Sequence, residues 1–330
     1  MISYKLVNSF YLRLIVVLAF AKALTSCNSS SDREQEIAKI PMDVELRMFH
    51  KEFADAEVED LPDLKERYPR LLSPRTPDSL LIAKIQGRDS IQDILESAVQ
   101  KANFDYDEIE RDVESIMRHV KYYFPEFEPT PVVTMISEVE YNYQVIPTEE
   151  ALYLAMDTYL GKDSELYLGI SKYIRSQLNV EQLPADVGLA YAKLFVPQTM
   201  ERSLLENMVY HGKLHYIQQL FVPDASNDLI FNYTPEKYQF TVDNETEMWR
   251  YLIGEELLYD TDSQLLSRFI LPAPFSKFYL EVDQNTPGGV GRYLGYKIVD
   301  AFMKNNDVSL DALIALPADE IFKRSKYKPE

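Results

Sequence analysis

A chain of 330 residues, 46% apolar and 12% aromatic, carries enough apolar surface for a sizeable core, in one large domain or two intimate ones. Ten glycines stand against 23 tyrosines and 16 phenylalanines. With no period of repetition, that composition argues against a disordered or repeat protein and for a mostly helical globular body. The net charge of −19 argues against nucleic acid as a partner and gives no attraction to anionic lipid, so any membrane association needs an anchor of another kind.

The amino-terminal stretch MISYKLVNSFYLRLIVVLAFAKALTSCNSSSD supplies one. Lys5 and Arg13 precede an apolar run over residues 14–21, far short of the roughly 20 residues a spanning helix needs, so it fits a secretory signal. Leu24-Thr25-Ser26-Cys27 resembles a bacterial lipobox, in which the cysteine takes the acyl chains, palmitate among them, and becomes the first mature residue. Lys22 is a departure from that pattern, and the alternative is an ordinary secretory signal with a chance cysteine. Cys27 is the only cysteine of the chain, so no disulfide closes within it. The expected organisation is a lipoprotein signal peptide over 1–26, a polar tether over 27–41, and a helical domain over 42–330 with a small sheet near 130–160.

In chain order, the segment MDVELRMFHKEFADAEVED places Leu46, Phe49 and Phe53 on one helical face. His50 beside them reads as a surface or half-buried residue. Pro62, Pro69, Pro74 and Pro77 punctuate turns and short helices. DSIQDILESAVQKANF and DYDEIERDVESIMRHVKYYF follow as two amphipathic helices, the second with Ile109, Val113, Ile116 and Val120 at helical spacing. Asp105, Asp107 and Glu108 favour the dipole at its start, and His119 has no partner at ligand spacing. From Pro129 the texture changes. The runs 132–136, 141–146 and 151–159 are β-branched or aromatic and separated by turn residues, which predicts a small sheet. Helices resume near Leu166.

Ser203 and Glu206 form a capping box before LLENMVYHGKLHYIQQLF. Apolar residues cover nearly the whole circumference of this segment, which predicts a central helix. His211 and His215 are four residues apart on one face. The spacing is that of the zinc-protease helix H-E-x-x-H, with Gly212 where the glutamate base belongs. Catalytic zinc needs three protein ligands, a water and a base. Glu255 or Glu256 is the candidate third ligand, and the competing expectation is a pair of core histidines bonded to backbone or tyrosine. Glycine costs a helix roughly 1 kcal/mol, so Gly212 points to close packing. The last strong segment, TPGGVGRYLGYKIVDAFMKNND, turns tightly into a helix carrying Leu294, Ile298, Val299 and Phe302. Gly291 and Gly295 leave one face of it bare, so a neighbouring helix can approach closely.

The lipobox, ALYLAMDTYLG, the histidine helix, MWRYLIGEELLYDTD and PGGVGRYLGYKIVDAFMKNN occur in this order. Together they resemble the gliding-motility lipoprotein GldB family of Bacteroidota, from about Cys27 to the carboxyl terminus. The most specific pieces are Y-x-G-K-L at Tyr210–Leu214 and P-G-x-V-G-R-x-x-G at Pro287–Gly295, which includes Gly291 and Arg292. The family in turn looks like a degenerate zinc-peptidase (zincin-like) scaffold. Under that likeness LPADVGLAYAKLF takes the place of the first ligand-bearing helix and has no histidine, while His211-Gly212 falls on the Glu-Gly step of the second helix, which supplies the third ligand. What the resemblance implies is a mostly α protein with a small β-sheet (α+β), anchored through Cys27 and facing the periplasm from the inner or the outer membrane. No catalytic residue, metal or cofactor is expected, and the function is gliding motility with associated type IX protein secretion, through protein partners of the cell envelope. The rivals are a zinc-dependent peptidase with atypical ligands and a lipoprotein that binds peptide or glycan in a vestigial cleft lined by Tyr153, Tyr210 and Tyr216.

Overall fold

The computed structural model describes residues 32–198, 200 and 202–329; the signal segment and Cys27 lie outside the described residues. The chain is mostly helical with one small mixed sheet, a single α+β body. The sheet has the order β1-β2-β4-β3, with β1 at Leu46–Arg47, β2 at Val132–Met135, β3 at Val145–Pro147 and β4 at Leu152–Ala155. β1, β2 and β4 run parallel, and β3 pairs antiparallel with β4.

Every residue of β2 and β4 is buried, because helices cover both faces, and strands buried on both faces read as continuous apolar runs. Successive side chains alternate between two cores. Val132, Leu152 and Leu154 join the larger one. Val133, Met135, Tyr153 and Ala155 join a smaller one completed by Phe49, Phe53, Leu61, Leu64 and Tyr68.

Leu46 departs from its expected place on a helix with Phe49 and Phe53. It pairs with Val132 in β1, and the helix begins only at Phe49. The third apolar run also ends as a strand at Ala155, where a turn over Met156–Thr158 takes over. His50 is not at the surface. It is buried in the sheet–helix junction, its Nδ1 2.7 Å from Thr134 Oγ1 and its Nε2 2.9 Å from the Tyr106 hydroxyl. The stretch expected to be tether is packed in its second half: residues 32–37 are helical, Ile37 is 1% exposed, and Arg118 Nε donates to Ile40 O. His119 faces this segment, 3.1 Å from Glu34 Oε2.

The larger core is built on helices with clear local signals. α1, Ser90–Ala102, is capped by Asp89, which accepts from Ile91 N and Gln92 N; α2, Tyr106–Tyr123, is capped by Asp105. α3, Leu183–Phe195, starts with a proline in its first turn. α4, Leu204–Phe221, has both bonds of the Ser203–Glu206 capping box. α5 is Glu245–Gly254, α6 is Val290–Asn305 and α7 is Ala318–Ser325. α4 runs through the middle, packed by α2, α3, α6 and α7. Even Lys213 on it is buried, its Nζ donating to the carbonyls of Ile314 and Leu316 at 2.9 and 2.8 Å. Among the described residues no helix is long and apolar enough to cross a membrane.

Candidate functional site

His215 is 2% exposed. Its Nδ1 lies 2.8 Å from Gln218 Oε1, and the Gln218 amide nitrogen donates to Ala185 O at 2.8 Å. That second bond fixes the amide, so Nδ1 of His215 is the donor. The ring packs on Phe231, 5.0 Å between centroids. His211 is half-buried against the Tyr210 ring. Burial holds His211 down to about 2 and His215 down to about 3. The cations Arg292 and Lys193 act on both rings in the same direction.

A divalent cation approaching this pair would meet positive charge rather than a carboxylate. Glu255 and Glu256 are exposed at the end of α5 and are not brought to the buried His215. Among the described residues no group of three or more His, Cys, Asp or Glu side chains is placed to hold a metal ion. Tyr153 belongs to the smaller core, whereas Tyr210 and Tyr216 pack at the rim of the larger one. The three tyrosines therefore do not share a cleft.

Gly212 has a packing explanation. A Cβ built there would run into the backbone carbonyl of Gly295 on α6, and one on Gly295 into the carbonyl of Met208 on α4. Gly291 is less tight, a Cβ there meeting Phe269 O at 2.8 Å and the Met208 side chain at 3.3 Å. α4 and α6 thus cross backbone to backbone, and no side chain fits at the position where a peptidase would carry its base.

The opening of α6 forms one wall of a cleft of about 540 Å³. Phe231, Tyr233, Tyr173 and Pro272 give it an apolar face, and Lys172, Lys237 and Arg292 give it charge. No Asp or Glu lines it. Arg292 Nε donates to Ile270 O at 2.6 Å, which fixes the plane of the guanidinium. Lys237 Nζ donates to Pro274 O at 2.6 Å and Thr286 O at 3.0 Å. Burial lowers the pKa of both cations, and among the described residues none of the three is ion-paired with a carboxylate. A second cleft of about 800 Å³ adjoins it, sharing Ser176, Gln177, Tyr233 and Thr234. That half is acidic on balance, with Asp163, Glu181, Asp228 and Glu236 against one cation, Lys162.

Sequence reasoning found Arg292 within P-G-x-V-G-R and assigned it to structure alone. It missed Lys172 and Lys237. They come from separate segments, so no local spacing marks them.

Residues 30–329 match the family described as gliding motility protein GldB. No curated protein and no solved structure matches the chain. The family match spans nearly the whole sequence and takes in the central α4, its glycine crossing with α6 and both clefts, and on that extent the chain belongs to the gliding motility protein GldB family.

Proposed function

We propose that this gliding-motility lipoprotein of the cell envelope acts by assembly with protein partners and not by turnover, and that type IX protein export depends on it. The observation that carries the reading is the surroundings of His211 and His215. Two cations press on them, one imidazole is committed to Gln218, and Gly212 is closed against Gly295. A peptidase site needs an open metal position and a base, and this helix offers its faces to packing. The degenerate-peptidase ancestry rests on the sequence resemblance.

We place the lipid on Cys27. The described residues begin at Asp32, and the chain from Cys27 to that point spans at most about 20 Å when fully extended. The body is then held close to the membrane surface, where a short reach raises its effective concentration toward other envelope proteins.

The test is complementation of a deletion strain with His211→Gln and with the double variant His211→Gln, His215→Asn, each checked for abundance and melting temperature. We expect spreading of colonies and export of type IX cargo to return with both. Cells that stay immobile while holding normal amounts of folded variant would assign chemistry to the histidines and overturn the assembly reading.

A further inference from the structure

The most unusual electrostatic feature of this acidic chain is the cleft at the start of α6. Against a net charge of −19, it gathers Lys172, Lys237 and Arg292 with no carboxylate in its lining. Positive charge set in low-dielectric walls focuses an attractive field on anions. Arg292 is prepared for one: its Nε is held by Ile270 O, and among the described residues neither terminal nitrogen has a hydrogen-bond partner. A guanidinium fixed in this way presents a planar fork that matches a two-oxygen acceptor.

We propose that this cleft binds the free carboxylate end of a peptide, with the carboxylate on Arg292 and the last side chain against Phe231, Tyr233 and Pro272. Three observations select this ligand. The wall beside the cations is aromatic and proline-rich, which calls for an apolar body behind the anionic head. The adjoining cleft is acidic through Asp163, Glu181, Asp228 and Glu236, so an elongated dianion or a phosphate chain would be repelled where a neutral or basic chain would be drawn in. The two clefts are continuous through Ser176, Gln177, Tyr233 and Thr234, which gives an extended ligand a path with one charged end. A peptide carrying its single negative charge at the terminus, and amide N–H groups or a lysine upstream, satisfies both halves. The proposal stands independently of how the protein serves gliding.

The test is fluorescence anisotropy with the full-length protein in detergent micelles. The probes are amino-terminally labelled Gly-Lys-Ala-X peptides, with X Phe, Leu, Val or Ala, each as the free acid and as the carboxyl-terminal amide. At least one free acid is expected to bind, its amide at least tenfold more weakly, with affinity falling as salt rises. Lys172 is exposed and its side chain makes no hydrogen bond or ion pair among the described residues, so Lys172→Glu should weaken binding severalfold without moving the melting temperature. Arg292→Lys, which keeps a cation and loses the fork, should weaken it at least tenfold. If that variant unfolds, Lys172→Glu and the acid–amide comparison decide. Equal binding of acid and amide, no binding by any free acid, or binding unchanged by Lys172→Glu would overturn the proposal. Inorganic phosphate displacing the probe at micromolar concentration would also overturn it, in favour of a phosphate site.

Discussion

Asp157 shows how much one side chain can hold. Its carboxylate is fully buried and accepts from Ser137 N at 2.9 Å, Ser137 Oγ at 3.2 Å and Val139 N at 2.6 Å. Those bonds pin a loop in which Glu138 and Val139 have φ of 59° and 58°. A β-branched residue in the left-handed region is strained and persists only where its surroundings over-determine it. Burial holds the Asp157 pKa above the ordinary carboxylate value, and the bonds from Val139 and Ser137 offset part of that rise. Asp157→Ala leaves those donors without their acceptor, and we expect a loss of about 1–3 kcal/mol in urea unfolding, with new protease cleavage between 137 and 147. Val139→Gly in the intact protein should restore or raise stability, since glycine adopts this backbone freely. Unfolding midpoints unmoved by Asp157→Ala would show that the loop is held by other contacts.

Helix packing is decided where α4 crosses α6. Gly212 and Gly295 bring backbone against backbone, with a new Cβ at either meeting a carbonyl, which has no freedom to move aside. Gly212→Ala and Gly295→Ala should each cost at least about 1–3 kcal/mol through overpacking, and Gly295→Leu more. Gly188 on α3 would meet side chains rather than backbone, Val222 at 3.0 Å and Gln218 at 3.5 Å, so Gly188→Ala should be milder. Gly254, at the end of α5, meets nothing within 4 Å; Gly254→Ala should be neutral or slightly stabilising, by the helix preference of alanine. Equal melting temperatures for all four alanine variants would refute the crossing as the source of the glycine requirement. The same elements show what a sequence displays and what it hides. α2, α4 and α6 announce themselves through periodicity, caps and glycine spacing, because those signals are local. β1 has two residues, too few for any period, and exists because β2 offers its edge. The partners of His50, Thr134 and Tyr106, lie on distant segments, as do the cations of the cleft. Contacts of that range leave no trace in spacing along the chain.

Taken as one titrating body, the protein has a built-in acid limit. His50 and His215 are buried and His211 is half-buried, and all three are held neutral, with values near 4, 3 and 2 against 6.5 for the exposed ring. Desolvation is the largest cause in each. Between pH 6.5 and 4 the unfolded chain therefore binds protons that the folded chain refuses, so stability falls as pH falls through this window. Asp186 pulls the other way. Buried in α3 beside the Tyr159 hydroxyl at 3.1 Å, it is pushed up to about 7, so its contribution is complete below the ordinary carboxylate value of 3.8 and is lost as pH rises through 7. The histidines outweigh Asp186 over the acid window, although the raised carboxyls of Asp157, Asp112 and Glu96 act in its direction, so the loss lies on the acid side and stability levels off above about pH 7. We expect the urea midpoint to drop from pH 6.5 to 5. His50→Gln should flatten that slope by close to one proton, because glutamine cannot charge, and Asp186→Asn should steepen it by removing an opposing group. Carboxylates at the surface, whose repulsion contributes to the −19 charge, also respond to acid, so each series is run at high salt, where exposed charges are screened and buried ones much less. A midpoint independent of pH from 6.5 to 5 under those conditions would mean that the histidines charge without unfolding the chain, and the burial assigned to all three would have to be revised.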